Sequence, residues 1–221
     1  MKIIAVIGKS DSGKTHLIRR LIPELKKRGF SAAVIKHCAH GFDLDVKGKD
    51  SWQMMEAGAE GVGMVSPDRL AVLRKTKNAD EFPRLAARYF RDADFVIVEG
   101  GYGVKGLKTI EVLPKGRPAK VQCSRKDLIA VVSLSKVDIA RPVYRPGQVG
   151  EIADLLVSEL PAVQMPVSLE VDGRPVPLNA FVQKMIENVV LAVVESLRGV
   201  GEDPGQIALY VARRKSEEER R

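Results

Sequence analysis

Three observations in the 221-residue sequence predict an α/β chain, a three-layer sandwich around a mostly parallel sheet, with a small ββαβ module after it. The chain opens with an apolar strand, a glycine-rich loop and an amphipathic helix, then returns to a second strand within about 35 residues, the βαβ unit of a parallel sheet. Short β-branched runs without polar alternation then recur, as strands covered on both faces do. After residue 165 the texture switches to alternation around an Asp-Gly turn signal. The expected organisation is an α/β domain over residues 1–162, an accessory module over 165–212 and a charged tail over 213–221.

Residues 2–7 form the first strand, and residues 8–13 the loop. In the helix that follows, Leu17, Ile18, Leu21, Ile22 and Leu25 recur at helical spacing. Pro23 removes a backbone donor inside it and predicts a kink, while Gly29, after Lys26, Lys27 and Arg28, supplies the stop. Residues 31–36 return as a strand. A polar segment over 37–48 precedes a short helix at 49–57, and the apolar runs 62–65 and 70–73, separated by Ser66-Pro67-Asp68, predict a hairpin. A helix over 79–91 carries Phe82, Leu85, Ala86, Tyr89 and Phe90 to a strand at 95–98. Strands at 109–113 and 128–133 and a helix at 149–160 complete the domain. In the module, Val167, Leu169 and Val171 alternate with polar positions, Asp172-Gly173 turns the chain, and Val176 and Leu178 follow. Asn179 caps a helix through about residue 197, Gly199 ends it, and residues 207–212 are expected as a last strand. About 45 residues are too few for such a module to stand without packing on something else.

A hydrophobic content of 45% with 29% charged residues excludes disordered and collagen-like classes. Apolar runs such as 94–98 and 128–133 fall far short of the roughly 18 to 20 residues that cross a bilayer. The N-terminus runs straight into a strand pattern, without a signal peptide. Two cysteines, Cys38 and Cys123, make no disulfide framework, so a soluble protein of a reducing compartment, the cytoplasm, is expected. The net charge of +8 suits a polyanionic partner. With 5% aromatics and Trp52 as the single tryptophan, a stacking platform for nucleic acid has little to build on, and no base-reading motif accompanies it.

Chemistry concentrates at Gly8-Lys9-Ser10-Asp11-Ser12-Gly13-Lys14-Thr15, a full match to G-x-x-x-x-G-K-[ST] between a strand and a helix. Glycines 8 and 13 let backbone N–H groups converge on phosphate oxygens, Lys14 reaches the outer phosphates, and Thr15 offers its hydroxyl to Mg²⁺ at the helix N-terminus, with His16 beside it. The expected ligand is a nucleoside triphosphate with magnesium. Asp11 is tolerable there only if its carboxylate points outward. The acidic partner of such a loop ends a neighbouring strand, and Glu99 does so, placed to hold magnesium or orient an attacking water. Asp94, at the other end of that strand, reads as structural. His37, Cys38 and His40 offer three soft metal ligands but no fourth, and no C-x-x-C accompanies them. Asp43 and Asp45 share a face if their segment is extended and then suit a metal; as two solvated aspartates they suit nothing in particular.

The string Lys36-His37-Cys38-Ala39-His40-Gly41-Phe42-Asp43-Leu44-Asp45, then Gly48-Lys49-Asp50-Ser51, Glu56-Ala57-Gly58-Ala59 and Val98-Glu99-Gly100, closely resembles the molybdopterin-guanine dinucleotide biosynthesis protein B (MobB) family over roughly residues 1–160. The resemblance implies a P-loop NTPase fold of a dimer-forming GTPase class. It implies GTP and Mg²⁺, slow hydrolysis, and work beside the (MobA-type) guanylyltransferase that attaches GMP to molybdopterin. Carried over by position, Gly8 to Thr15 would cradle phosphates, Lys14, Asp43 and Glu99 would serve catalysis, and Thr15, Asp43 and Glu99 would hold the metal. Asp45 would lie with Asp43 in the segment facing the γ-phosphate. Lys36, His37 and His40 would line the cleft where a pterin phosphate or a partner approaches.

Where the family continues with an aromatic and a lysine after Val98-Glu99-Gly100, this chain has Gly101-Tyr102-Gly103-Val104-Lys105-Gly106, which leaves Lys105 and Lys108 as candidates for that lysine. Ser135-Lys136-Val137-Asp138 looks like the N/T-K-x-D reader of guanine, with Lys136 and Asp138 as the reading pair, and favours GTP over ATP. The module after Met165 lies outside the minimal family domain. Its helix, with Phe181, Val182, Met185, Ile186, Val189, Val190, Val193, Val194 and Leu197, is expected to pack in an ordinary core, and its apolar face is wide enough for a partner as well. The expected function is GTP binding with slow hydrolysis in molybdenum cofactor biosynthesis. The alternatives are a small-molecule kinase, whose arginine lid finds only scattered Arg117, Arg125, Arg141 and Arg145, and a basic nucleic-acid-binding module.

Overall fold

The computed structural model describes residues 1–75, 82–100, 102, 106–116, 120–124, 126–161, 167, 169–171, 174–199, 207–209 and 211. It divides into two compact units, Met1–Gln164 and Met165–Arg221. The start of the helix expected from residue 79, Lys105, Arg117, Arg125, the Asp172-Gly173 turn and the tail from 213 lie outside the described residues.

In the first unit, β1 (Lys2–Ile7), β2 (Ala32–Lys36), β5 (Phe95–Glu99), β6 (Lys108–Val112), β7 (Leu128–Val132) and β8 (Val143–Tyr144) make a six-stranded sheet in the order β2-β5-β1-β6-β7-β8. Every pairing in it is parallel. The strands are apolar throughout because both faces are covered, and side chains alternate between two cores. Ile4, Val6, Phe95, Ile97, Ile110 and Val132 meet α1 (Lys14–Lys27) and α4 (Val149–Glu159) on one face. On the other, Ile3, Ala5, Ile7, Val96 and Val98 pack with Phe82 and Ala86 of α3 (Phe82–Tyr89). This is the three-layer sandwich that the strand pattern predicts.

Helix α1 runs through Pro23 as one 14-residue element and closes where expected. The Gly29 N–H bonds the Lys26 carbonyl at 3.0 Å and the Phe30 N–H bonds the Leu25 carbonyl at 3.1 Å, a Schellman closure made possible by φ of +84° at Gly29. Arg28 then ties α1 to α4 through Asp154 at 2.8 Å and the Gly150 carbonyl at 3.1 Å. Asp94 is structural, as read: its carboxylate accepts the Ser31 N–H and hydroxyl, both at 2.8 Å, and these bonds hold it below the usual aspartate range.

The hairpin of β3 (Gly61–Val65) and β4 (Leu70–Arg74) forms as expected, antiparallel, in a two-stranded sheet of its own after α2 (Asp50–Glu56). Two expectations need correction, and one strand was missed. Tyr89 is half exposed rather than part of the core under α3, because it falls off the face that Phe82 and Ala86 bury. Strand β8 was not anticipated, being two residues long between Pro142 and Arg145 and recognisable only by its pairing with β7. In the second unit, β9 (Leu169–Val171) and β10 (Arg174–Val176) pair antiparallel before α5 (Ala180–Glu195), but the described positions of the expected last strand, 207–209 and 211, belong to no strand. The described module is therefore ββα. Asn179 does cap α5, its side chain accepting the Val182 N–H at 2.9 Å.

Candidate functional site

The carboxyl ends of the sheet strands converge where the chain, having gone from β1 outward to β2 and back to β5, crosses over β1 to β6, the topological switch point at which open α/β sheets bind ligands. The glycine loop sits there. A Cβ on Gly8 would collide with the Val112 carbonyl oxygen at the end of β6 and with Ser12 Oγ, so only glycine lets the loop leave β1 so close to its neighbour. Gly13 caps α1 at φ +98° without a side-chain cap, which leaves the first N–H groups of the helix turned toward the loop. Lys14 folds back across the loop, its Nζ donating to the carbonyls of Gly8 at 3.0 Å and Lys9 at 2.7 Å. Lys9, Ser10 and Asp11 are exposed, and Asp11 reaches a left-handed φ of 58° with its carboxylate near the Ser10 hydroxyl. Ser12 Oγ is buried without a partner. A polar cradle with an orphaned hydroxyl and an ammonium held only by carbonyls fits a bound polyphosphate.

Thr15, at the second position of α1, donates its hydroxyl to Glu99 Oε1. Glu99 is the last residue of β5 and only 8% exposed, and its backbone carbonyl accepts the His37 N–H at 2.9 Å. Register places Lys36, the last residue of β2, opposite Glu99, and Gly100, at φ +95°, passes close to the His37 carbonyl. The structure thus joins the Thr15 side chain and the His37 backbone to Glu99 at one strand end, with Lys14 next to Thr15 in the chain. A hydroxyl and a carboxylate meeting at the loop form a hard-oxygen pair of the kind magnesium selects. The His37 ring packs edge-on against Phe82 at 5.5 Å. His16, Lys36 and His40 are exposed, and Cys38 is half-buried. Among the described residues, no three His, Cys, Asp or Glu side chains gather as a metal cluster.

The two aspartates of the following loop separate. Asp43 is exposed, whereas Asp45 is half-buried, its Oδ1 accepting from the Val46 N–H at 2.9 Å and the Ser51 hydroxyl at 2.8 Å. At the far side of the carboxyl edge, Lys136 and Asp138 are exposed just beyond β7, while Val137 and Ile139 anchor their segment against Leu113, Leu128 and Val131. Lys108 is exposed at the start of β6, the end of the strand away from the loop.

Sequence reasoning missed Glu111. It is fully buried on β6 beside Ile7, and its carboxylate accepts the Gln122 N–H at 3.0 Å and the Cys123 N–H at 2.9 Å. Those bonds pin the 122–123 segment to β6 beside the end of β1, and burial, with the Glu111 charge adding to it, pushes the Tyr102 phenol up to about 12. The signal was present: a lone acid inside Thr109-Ile110-Glu111-Val112-Leu113 is a buried charge in want of donors.

The family model "Molybdopterin guanine dinucleotide synthesis protein B" matches residues 3–134. A molybdopterin-guanine dinucleotide biosynthesis adapter protein of Haemophilus influenzae is 40% identical over 99 residues, 44% of this chain and 56% of that protein. The Escherichia coli protein of the same name is 37% identical over 101 residues, 44% of this chain and 58% of its own. The chain thus spans little more than half the length of these curated relatives. A Methanocaldococcus jannaschii protein of corresponding description is 24% identical over 230 aligned positions, 90% of this chain and 93% of that protein. Among solved structures, a molybdopterin-guanine biosynthesis protein B (mobB) matches with a TM-score of 0.59 and 34% identity, covering 72% of this chain and 99% of that one. Bacillus subtilis MobB, at TM-score 0.58 and 22% identity, shares the fold over 73% of this chain and 99% of its own.

Proposed function

This chain belongs to the MobB family, and on that premise we propose that it is a GTP-binding adapter in the making of the molybdopterin-guanine dinucleotide cofactor. The observation that carries the reading is the contact between Thr15 and Glu99 at the mouth of the glycine loop. It brings together the two oxygen donors that a phosphate loop needs for magnesium, on the side of the sheet where Lys14 and the α1 N-terminus stand ready for phosphates.

In this reading Gly8 and Gly13 shape the cradle, the backbone N–H groups of residues 9–15 take the phosphate oxygens, and Lys14 leaves the Gly8 and Lys9 carbonyls for the outer phosphates. Thr15 and Glu99 would hold magnesium, with Asp43 as a further oxygen donor, and the ion would neutralise charge on the phosphates. Glu99, nearly buried, would orient a water toward the outer phosphate for slow hydrolysis. Lys136 and Asp138 read guanine from the β7 end. Lys36, His37 and His40 flank the route by which the pterin phosphate, or the guanylyltransferase that handles it, approaches. The chain works as a homodimer in the cytoplasm, with its positive charge turned to nucleotide, pterin phosphate and an acidic protein surface.

A reconstituted guanylylation assay tests the role. Adding this chain to the guanylyltransferase, molybdopterin and GTP is expected to raise the yield of the guanine dinucleotide, and Lys14→Ala to remove the gain. A yield indifferent to the wild-type chain, with no association between the two proteins, rules the adapter role out.

A further inference from the structure

Strand β6 borders the glycine loop through one backbone group. Ile7, the last residue before Gly8, lies opposite Glu111 in register, and the Val112 carbonyl oxygen stands 2.4 Å from where a Cβ on Gly8 would be. The direction in which the loop leaves β1 therefore depends on where the Val112 carbonyl is held. On its other side β6 pairs with β7 irregularly, the register shifting between Thr109 and Ile110, just ahead of Glu111. Such an irregularity disrupts the ladder locally, so the ladder alone fixes this stretch of β6 less firmly.

The two faces of β6 are held differently. Ile110 and Val112 are packed in the core under α1 and α4. Glu111 points to the opposite face, where both carboxylate oxygens accept the Gln122 N–H at 3.0 Å and one accepts the Cys123 N–H at 2.9 Å. Beside these donors, Val121 and Cys123 pack on Leu113, Leu128 and Val131. An apolar side chain could fill the position without the cost of desolvating a charge. A carboxylate adds direction instead, because a buried oxygen is satisfied only by donors placed in line with it.

We propose that Glu111 is a positioning residue for the phosphate loop: anchored to the backbone of residues 122 and 123, it holds the end of β6 from the face away from α1 and keeps the Val112 carbonyl where it sets the exit of Gly8 from β1. Glu111 itself touches no ligand and acts through Gly8. The proposal rests on the phosphate-site reading given above. An amide in place of the carboxylate keeps one acceptor but turns a second N–H group toward two backbone donors, which pushes the segment and the strand apart.

Hydrogen exchange in a fragment spanning residues 8–13 and calorimetric titration with GTP and magnesium, both on the full chain, read the loop and the site separately. Glu111→Gln is expected to speed exchange across the loop about tenfold and to weaken GTP binding about tenfold. Leu156→Ala, which empties an equally buried position on α4, is the control for lost stability and is expected to leave both within about twofold. Gln122→Pro removes one of the donors while Glu111 stays, and is expected to move both readouts in the same direction by less. Unchanged exchange and affinity in folded Glu111→Gln, or changes that Leu156→Ala reproduces, overturn the proposal. If the loop responds but the wild-type chain binds no GTP, the coupling stands and the nucleotide reading fails. GTP binding that is lost in Lys14→Ala and intact in Glu111→Gln is the opposite result, upholding the nucleotide reading and overturning the role of Glu111.

Discussion

Helices α1 and α5 are close in length, 14 and 16 residues, and α5 is the more apolar of the two, yet they end in opposite environments. Leu17, Ile18, Leu21 and Leu25 of α1 are buried, Leu21 and Leu25 completely. No residue of α5 is: Phe181, Met185, Val189 and Val193 stand at 75%, 51%, 58% and 56% exposure, so the ordinary core expected for that face is not what the structure shows. Val182, Ile186, Val190 and Val194 are only half-buried. Apolar periodicity announces a helix and its face, while burial depends on what lies opposite. For α1 that is a six-stranded sheet and α4; the described part of α5's own unit offers no sheet larger than a two-stranded hairpin.

The largest effect that would break this contrast is a paired truncation. Leu21→Ala leaves a cavity in a closed core and is expected to cost about 2–5 kcal/mol in urea denaturation. Val193→Ala, on the exposed stripe of α5, is expected to stay within about 0.5 kcal/mol. Equal costs would mean that α5 is as deeply engaged as α1.

Glu111→Gln, on the central strand β6, is the next test. The variant keeps the shape but replaces a carboxylate acceptor with an amide beside two backbone donors, for an expected loss of about 1.5–3 kcal/mol. The Tyr102 phenol, freed of a neighbouring negative charge, should then titrate below its pushed-up value in an absorbance titration, and an unmoved Tyr102 would remove the electrostatic link.

The smallest effect concerns acid. Asp94 is held below its ordinary value of 3.8 by the Ser31 bonds, so its contribution is complete above that value and is lost as pH falls through the depressed one. Ser31→Ala should lower stability slightly at neutral pH and flatten the acid limb of the stability curve, as followed by thermal melts from pH 6 down to about pH 2. Parallel curves for the two proteins would mean that Asp94 owes nothing to the Ser31 hydroxyl, its backbone bond to residue 31 being kept in both.

How far the sequence could be read follows the same contrast. Strands β1, β5 and β7 and the glycine loop were legible because a doubly covered strand must be apolar and a phosphate cradle must have its glycines, here enforced by the Val112 carbonyl against Gly8. Strand β8 was not, since two residues carry no period and their pairing depends on β7. Lys14, Thr15 and Glu99 could be named from motif and strand end, and the structure brings Thr15 and Glu99 into contact. Asp43 and Asp45 looked equivalent at i, i+2 spacing. Only the fold separates them, through the Ser51 hydroxyl six residues on. Glu111 depends on donors from residues 122 and 123, which no local pattern connects to it.

The central claim is that the loop from Gly8 to Thr15, closed by Glu99, is a nucleotide phosphate site. Isothermal titration of the wild-type chain with GTP in the presence of magnesium, repeated with Lys14→Ala, tests it most directly. The account predicts saturable, magnesium-dependent binding in the wild type and none in the variant, with both proteins equally folded by circular dichroism. GTP affinity unchanged by Lys14→Ala, or no binding by the wild-type chain, would contradict it.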